Sequence, residues 1–290
     1  MEPMKQLETG SFMTTPDPIA LPDSIRIITW NINRGLRLNE IIEFLAGATA
    51  DLILLQEVDL NARRTHCRNV AREIAQALAM NYVFGCEFEE LSQRHNGTPA
   101  YHGQATLSRF PLFNSRILRF HRQSRFWLPR WFVPPTGPFQ RRVGGRMALI
   151  SYVSLPERKL VLYNVHLESR GDEGLRYSQF RQLLDDASQH AEDIQIVLAG
   201  DFNADLRQEP FTQDIGKARL SNPFDRFSSI PTTIPSRFNP SRTIDWIMTN
   251  GPLVASEPKL HDSILASDHY PLSFTLSGKS HDTRRGRQDR

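Results

Sequence analysis

The stretches IRIITWN (25–31) and DLILLQEV (51–58) carry the reading of the fold. Both are short apolar runs of the kind that forms buried strands. Between them Leu38, Ile41, Ile42, Leu45 and Ala46 recur at helical spacing, with Gly35 before and Gly47 after, which predicts a helix. A second helix is expected around 68–80, from Val70, Ile74, Ala77 and Leu78. Strands are expected at 82–88, 102–108, 112–120, 146–153 and 159–166. Tyr177, Phe180, Leu183, Leu184 and Ala187 mark a helix leading into the strand DIQIVLAG (193–200). The last strands are TIDWIMT (243–249) and PLSFTL (271–276). The middle strands follow one another without long helices, whereas the outer ones alternate with helices. That mixture predicts an α/β fold with two packed mixed sheets flanked by helices, rather than a single parallel sheet. Residues 121–145 and 221–242 are Pro-rich and irregular, and read as surface loops.

A chain of 290 residues with 39% hydrophobic and 23% charged residues can bury a large core, which excludes wholesale disorder. No run of eighteen apolar residues occurs, so no transmembrane helix is expected. Residues 1–24 carry acids and prolines ahead of Ile25, and read as a flexible leader rather than a signal peptide. Residues 25–277 form the expected catalytic domain, and 278–290 a charged, disordered tail. Cys67 and Cys86 show no CxxC spacing, which argues against a disulfide framework or structural zinc and for a reducing, cytoplasmic setting.

The net charge of +3 hides an asymmetry. Residues 91–156 contain no Asp or Glu but ten arginines; without those ten, 25 Lys and Arg face 32 Asp and Glu, a balance of −7. This segregation predicts a cationic surface suited to a polyanion or an anionic membrane surface. Phe126, Trp127, Trp131 and Phe132 alternate with Arg122, Arg125 and Arg130. Such a loop suits base stacking with phosphate contact, or insertion into a membrane interface, or simple packing of its aromatics.

Several apolar runs end in a group that a core rejects: Asn31, Glu57, His166, and Asp201 with Asn203 two further on. Asp245 lies inside TIDWIM, and Asp268-His269 precedes the last strand. A buried carboxylate costs several kcal/mol unless it is paired or binds metal. Neighbouring strand ends meet in space, so these groups are expected to converge on one cleft. Glu57, Asp268 and the Asn31 amide are the oxygen ligands that a hard cation prefers, Mg²⁺ or alternatively Mn²⁺. His269 can take a proton from water, with Asp245 to orient it. Asp201 and Asn203 can align water and hold a phosphate oxygen, and a protonated His166 can stabilise the transition state. Arg34 follows the Asn31 motif and can reach a phosphate, and His102 can face the site from a strand end. No Ser or Cys nucleophile with a base signature is apparent, which favours direct attack by water.

The ordered series TWNI (29–32), LLQEVD (54–59), NVHLES (164–169), GDFNAD (200–205), TIDWI (243–247) and SDHYP (267–271) resembles the endonuclease/exonuclease/phosphatase superfamily. That group includes pancreatic-type deoxyribonucleases, abasic-site endonucleases, neutral sphingomyelinases, deadenylases and inositol-polyphosphate 5-phosphatases. The resemblance spans about residues 25–276 and implies a four-layer α/β sandwich. It implies Asn31 and Glu57 at the metal, Asp201 and Asn203 at water and phosphate, and Asp245 orienting His269. His166 stands where deoxyribonuclease- and sphingomyelinase-like members have histidine and abasic endonucleases tyrosine, which disfavours an abasic-site specialist. SRTID (241–245) departs from the 5-phosphatase pattern. Arg146 falls where related nucleases place an arginine near substrate, and the role of Gln104 stays open. The expected activity is a nuclease-type phosphodiesterase acting on nucleic acid. The alternative is a sphingomyelinase-like or small-molecule phosphoesterase at a membrane or on soluble phosphates. A non-catalytic binding protein is disfavoured, since the carboxylates and histidines are all present.

Overall fold

The computed structural model describes residues 7–13, 23–127, 141–155, 158–225, 230–237 and 240–278. Along the chain run β1 (Leu7–Ser11), β2 (Ser24–Arg34), α1 (Leu38–Ala48), β3 (Leu52–Leu60), α2 (Val70–Ala77), β4 (Asn81–Glu90), β5 (Tyr101–Ser108) and β6 (Leu112–Arg119). There follow β7 (Arg142–Gly144), β8 (Met147–Leu155), β9 (Arg158–His166), α3 (Glu173–Ala187), β10 (Gln195–Asp201), α4 (Phe211–Lys217), β11 (Asp245–Asn250), β12 (Val254–Leu260) and β13 (Leu272–Ser277). One sheet has the order β1-β4-β5-β3-β2-β13-β12 with β7 on β4, and the other β11-β10-β9-β8-β6. The parallel pairs, β2 with β3 and β9 with β10, are those bridged by α1 and α3.

Strand alternation sorts the side chains into layers. On β2, Ile28, Trp30 and Ile32 pack with α1 and α2, whereas Ile25 and Ile27 join Leu54, Leu162, Val197 and Phe274 between the sheets. On the far side α3 and α4 cover the second sheet through Phe180, Leu183 and Phe211. Helix, sheet, sheet and helix stack as the expected four-layer α/β sandwich.

The inter-sheet faces change character toward one end. Thr29 and Asn31 continue the face of Ile27, Gln56 that of Leu54, Asn164 and His166 that of Leu162, and Asp201 that of Ala199. Gln56 Nε2 donates to Asn164 Oδ1 at 2.8 Å, and Asn164 Nδ2 to the carbonyls of Leu55 and Ala105 at 3.0 and 2.9 Å. This clasp joins the sheets where the apolar layer ends, and the chemistry-bearing residues lie beyond it.

Three expectations are corrected. Part of the flexible leader is strand: β1 pairs with β4, and Glu8 accepts from Tyr82 Oη at 2.6 Å and Asn69 Nδ2 at 2.7 Å. The loops 121–145 and 221–242 are not wholly irregular, since the first contains β7 and the second a segment hydrogen-bonded to residues 268–270. Some of the segregated arginines are engaged within the protein rather than free at its surface. Arg94, Arg142 and Arg146 pair with Glu89, Glu90 and Glu87, Arg116 pairs with Asp186, and Arg119 donates to backbone carbonyls of residues 86 and 87. Arg94, Arg109, Arg122 and Arg125 are exposed. Arg130, Trp131, Phe132 and almost all of the tail at 278–290 lie outside the described residues. Helix α4 and strand β12 were not expected from the sequence. Among the described residues, no helix is long and apolar enough to cross a membrane.

Candidate active site

Strand register sets His166 beside Asp201 and Asp201 beside Asp245 across β9, β10 and β11. Gly200 makes this approach possible: its φ is +145°, and a Cβ there would lie 2.1 Å from the Val165 carbonyl oxygen. Asp201 Oδ1 accepts from the Asn203 backbone N–H at 2.9 Å, and Oδ2 from Asn31 Nδ2 at 3.1 Å. Asn31 belongs to the opposite sheet, so this bond closes the inter-sheet cleft. Asn203 turns away with a φ of 50°, which asparagine tolerates, and its Nδ2 donates to the Leu167 carbonyl at 3.1 Å.

His269 enters this row from the turn before β13. Ser267 Oγ donates to the Asn31 carbonyl at 2.7 Å, and Trp30 Nε1 to the His269 carbonyl at 2.8 Å, so β2 holds the turn. Tyr270 N and Ile234 N complete the grip by donating, both at 2.8 Å, to the carbonyls of Thr232 and Asp268. His269 Nδ1 lies 3.0 and 2.8 Å from the two Asp245 oxygens, and Thr232 Oγ1 donates to Asp245 Oδ2 at 2.6 Å. Burial alone would lower the imidazole pKa; Asp245 outweighs it, with help from Asp201 and Asp268, and lifts it to about 10. The proton of the pair therefore resides on His269, with Nδ1–H directed at Asp245. Its Nε2 faces Asp201 Oδ2 at 3.8 Å.

His166 faces the same carboxylate, with Nε2 at 3.6 Å from Asp201 Oδ2. Two groups compete for its Nδ1: Arg146 Nη1, which can only donate, at 2.9 Å, and Glu87 Oε1 at 3.3 Å. Arg146 Nη1, at the shorter distance, needs a lone pair on Nδ1 and so places the ring proton on Nε2, whereas Glu87 needs Nδ1–H. Glu87 is fully buried. Burial raises its pKa, but His166 and then Arg146 pull harder and hold it far below the usual carboxylate range. Gln104 Nε2 donates to Glu87 Oε1 at 2.8 Å, which gives this residue its role.

Glu57 reaches the cleft through a bulge. The registers of β3 with β2 and with β5 both slip here, and Glu57 has a φ of 52°. Gln56 faces the inter-sheet layer and Val58 the helices, so Glu57 is an inserted residue whose side chain is re-aimed. Burial raises its pKa, but Arg34, His102, His166 and Arg146 lower it further, so the carboxylate is ionised. Its side chain is 19% exposed, open to a ligand, with Arg34 Nη2 at 3.7 Å.

The site thus unites Asn31, His166, Asp201, Asn203, Asp245 and His269, with Glu57 and Arg34 on its wall. Asp268 stands exposed at the lip. Arg146 and His102, expected at substrate, are instead enclosed at 2% and 0% exposure. Arg146 holds Glu87 and His166 in place, while His102 Nδ1 lies 2.9 Å from Asp59 Oδ1. Asp201, Asp245 and His269 offer ligand atoms within 4.8 Å of one another and could hold a metal ion. His269 Nδ1 is already engaged by Asp245, so the free donors are chiefly oxygens. Oxygens of Asp201, Glu57, Asp268 and Asn31 suit a hard divalent cation, and the residues present fit one.

The sequence profile of the Endonuclease/Exonuclease/phosphatase family matches residues 28–269, which contain every residue of this cluster. The chain belongs to that family. Its members are phosphoester hydrolases that generally depend on a divalent metal. Among solved structures, an endonuclease/exonuclease/phosphatase from Beutenbergia cavernae superposes with a TM-score of 0.63 at 19% identity, covering 89% of this chain and 72% of its own. TDP2 from D. rerio, complexed with a single strand DNA product, gives 0.60 at 19% identity, covering 88% and 99%. A family protein from Leptotrichia buccalis gives 0.60 at 16%, covering 87% and 99%. At these identities the likeness concerns the fold. A comparison with curated proteins gives no significant match.

Glu87 and Thr232 were missed in the family sequence for different reasons. Glu87 sits in an otherwise apolar strand, NYVFGCEFEE, and its one signal was a carboxylate at an inward position of that alternation. Thr232 lies in a Pro-rich segment whose pairing with 268–270 is long-range and leaves no local pattern.

Proposed function

We propose that this chain is a divalent-metal-dependent phosphodiesterase of nuclease type, cleaving nucleic acid by direct attack of water. The observation that carries the reading is Asp201 standing between two imidazole Nε2 atoms, at 3.6 and 3.8 Å. Cleavage by water needs a base beside the water, and donors where charge develops on the phosphoryl group. His269 is the base: Asp245 holds its Nδ1–H, so a deprotonated Nε2 can accept a proton from water aligned by Asp201. His166 Nε2–H, kept in place by Glu87 and Arg146, donates to a phosphoryl or departing oxygen. Both Nε2 atoms face a carboxylate rather than a serine or cysteine, which favours water as the nucleophile. Mg²⁺ or Mn²⁺ held by Asn31, Glu57 and Asp268 would neutralise phosphoryl charge and, as a nearby cation, draw the His269 pKa back toward neutrality.

Nucleic acid as substrate is proposed by extension from D. rerio TDP2, crystallised with a DNA product. A reducing, cytoplasmic setting is part of the proposal, since Cys67 and Cys86 are both free. The test is a panel of plasmid DNA, RNA and phospholipid vesicles, each with Mg²⁺ and with chelator. Metal-dependent scission of DNA or RNA is expected. Hydrolysis of vesicle lipid with both nucleic acids intact would replace this reading by the sphingomyelinase-like one.

A further inference from the structure

Beside the catalytic row lies a cleft of about 490 Å³, lined by Asn203 and by Arg176 of α3, Arg207 and Arg242. Its size is that of a ligand pocket rather than a surface dimple. Glu173 and Asp205 also line it, but Asp205 is taken by Arg207, whose Nε lies 2.7 Å away. Arg176 and Arg242 are differently placed. Arg176 Nη1 donates only to the Gly171 carbonyl at 3.1 Å, and its Nε is buried without a partner. Arg242 Nη2 donates to the Asn203 carbonyl at 3.3 Å. Neither forms an ion pair with a described carboxylate. Burial, and next the Arg242 charge, lowers the pKa of Arg176, while Glu173, Asp172 and Glu168 act in the opposite direction. Two guanidinium groups lining one cleft without an ion pair favour an anion there.

We infer that Arg176 and Arg242 form an anion subsite for a second phosphate of the substrate, the one neighbouring the scissile group on the Asn203 side. This rests on the phosphodiesterase reading above. Arg242 bonds the backbone of Asn203, whose own N–H is held by Asp201, so the second phosphate is registered against the loop that carries Asp201. Guanidinium forks suit phosphate oxygens, and a strand carrying a phosphate at each residue fills both positions at once. A substrate with a single phosphate leaves the subsite empty.

The experiment measures binding without metal, in EDTA, for two probes: fluorescein-labelled hexathymidylate, and thymidine 3′,5′-bisphosphate against thymidine 5′-monophosphate. In Arg176→Gln and Arg242→Gln, hexathymidylate affinity should fall about ten-fold or more, and each lost contact should flatten the slope of log K against log salt by about 0.7. Arg242→Lys, which keeps the charge, should recover part of the affinity. Loss confined to the bisphosphate would keep the subsite and assign it to the terminal phosphate of a small substrate. Unchanged affinity for both probes in both variants overturns the proposal. Arg176→Gln removes just one backbone bond, and a melting curve shows that either variant is folded. Hydrolysis of bis(4-nitrophenyl) phosphate by wild type with Mg²⁺ is read alongside. Its absence, with arginine-dependent binding intact, would sink the phosphodiesterase reading and leave the subsite standing.

Discussion

Glu87 is the residue on which the electrostatics of the site turn. Its carboxylate is wholly buried, 2.8 Å from Arg146 Nη1 and 3.3 Å from His166 Nδ1. Removing one partner of such a pair strands the other charge, so Glu87→Ala should cost about 3–5 kcal/mol, measurable by urea unfolding. An unaltered midpoint would mean that Arg146 finds another partner. Because the folded-state pKa of Glu87 is depressed, its contribution is complete above the unfolded value of about 4.3 and is lost as pH falls below it. Stability of the variant should therefore fall less steeply than wild type in that acid range. At this scale the sequence was legible where a polar group interrupts an apolar run. Asn31, His166, Asp201 and Asp245 each end or punctuate a strand, and the structure brings them together. Arg146 and His102 were legible as charged residues near the motifs but misread as substrate contacts, because a sequence shows a charge without showing the buried acid that neutralises it.

At the scale of elements, the bulge in β3 sets the position of Glu57. A non-glycine residue at a φ of 52° stores roughly 1–2 kcal/mol, which the surrounding sheet must impose. Comparing two variants that both lack the carboxylate isolates this term: Glu57→Gly should be about 1 kcal/mol more stable than Glu57→Ala in chemical denaturation. Equal stabilities would show that the backbone relaxes once the side chain is gone. The bulge was not legible, since LLQEV reads as an uninterrupted strand and only the slipped registers reveal the inserted residue. β1 and the 230–237 segment were unreadable for a related reason. LETGS and the residues around Thr232 are polar and short, and what fixes them is pairing with distant partners, β4 and the 268–270 turn. The long apolar strands and α1 stood out because their periodicity is local.

Across the whole molecule, one gradient accounts for both stability and chemistry. The layer between the sheets is apolar over most of its length, and past the Gln56–Asn164 clasp it becomes a cleft of carboxylates, amides and imidazoles from both sheets. Charge follows the same logic. Three of the arginines that look segregated along the chain, Arg94, Arg142 and Arg146, fold back onto Glu89, Glu90 and Glu87. What this gradient builds is a site where two imidazoles flank one carboxylate beside further oxygen donors. The most direct test is the turnover of a phosphodiester by wild type and by His269→Ala, each with Mg²⁺ and again after chelation. Wild-type hydrolysis should require the metal, and the variant should retain it at a rate lower by about 10²–10⁴. Equal turnover in the two proteins, or a rate that chelation leaves untouched, would contradict the account.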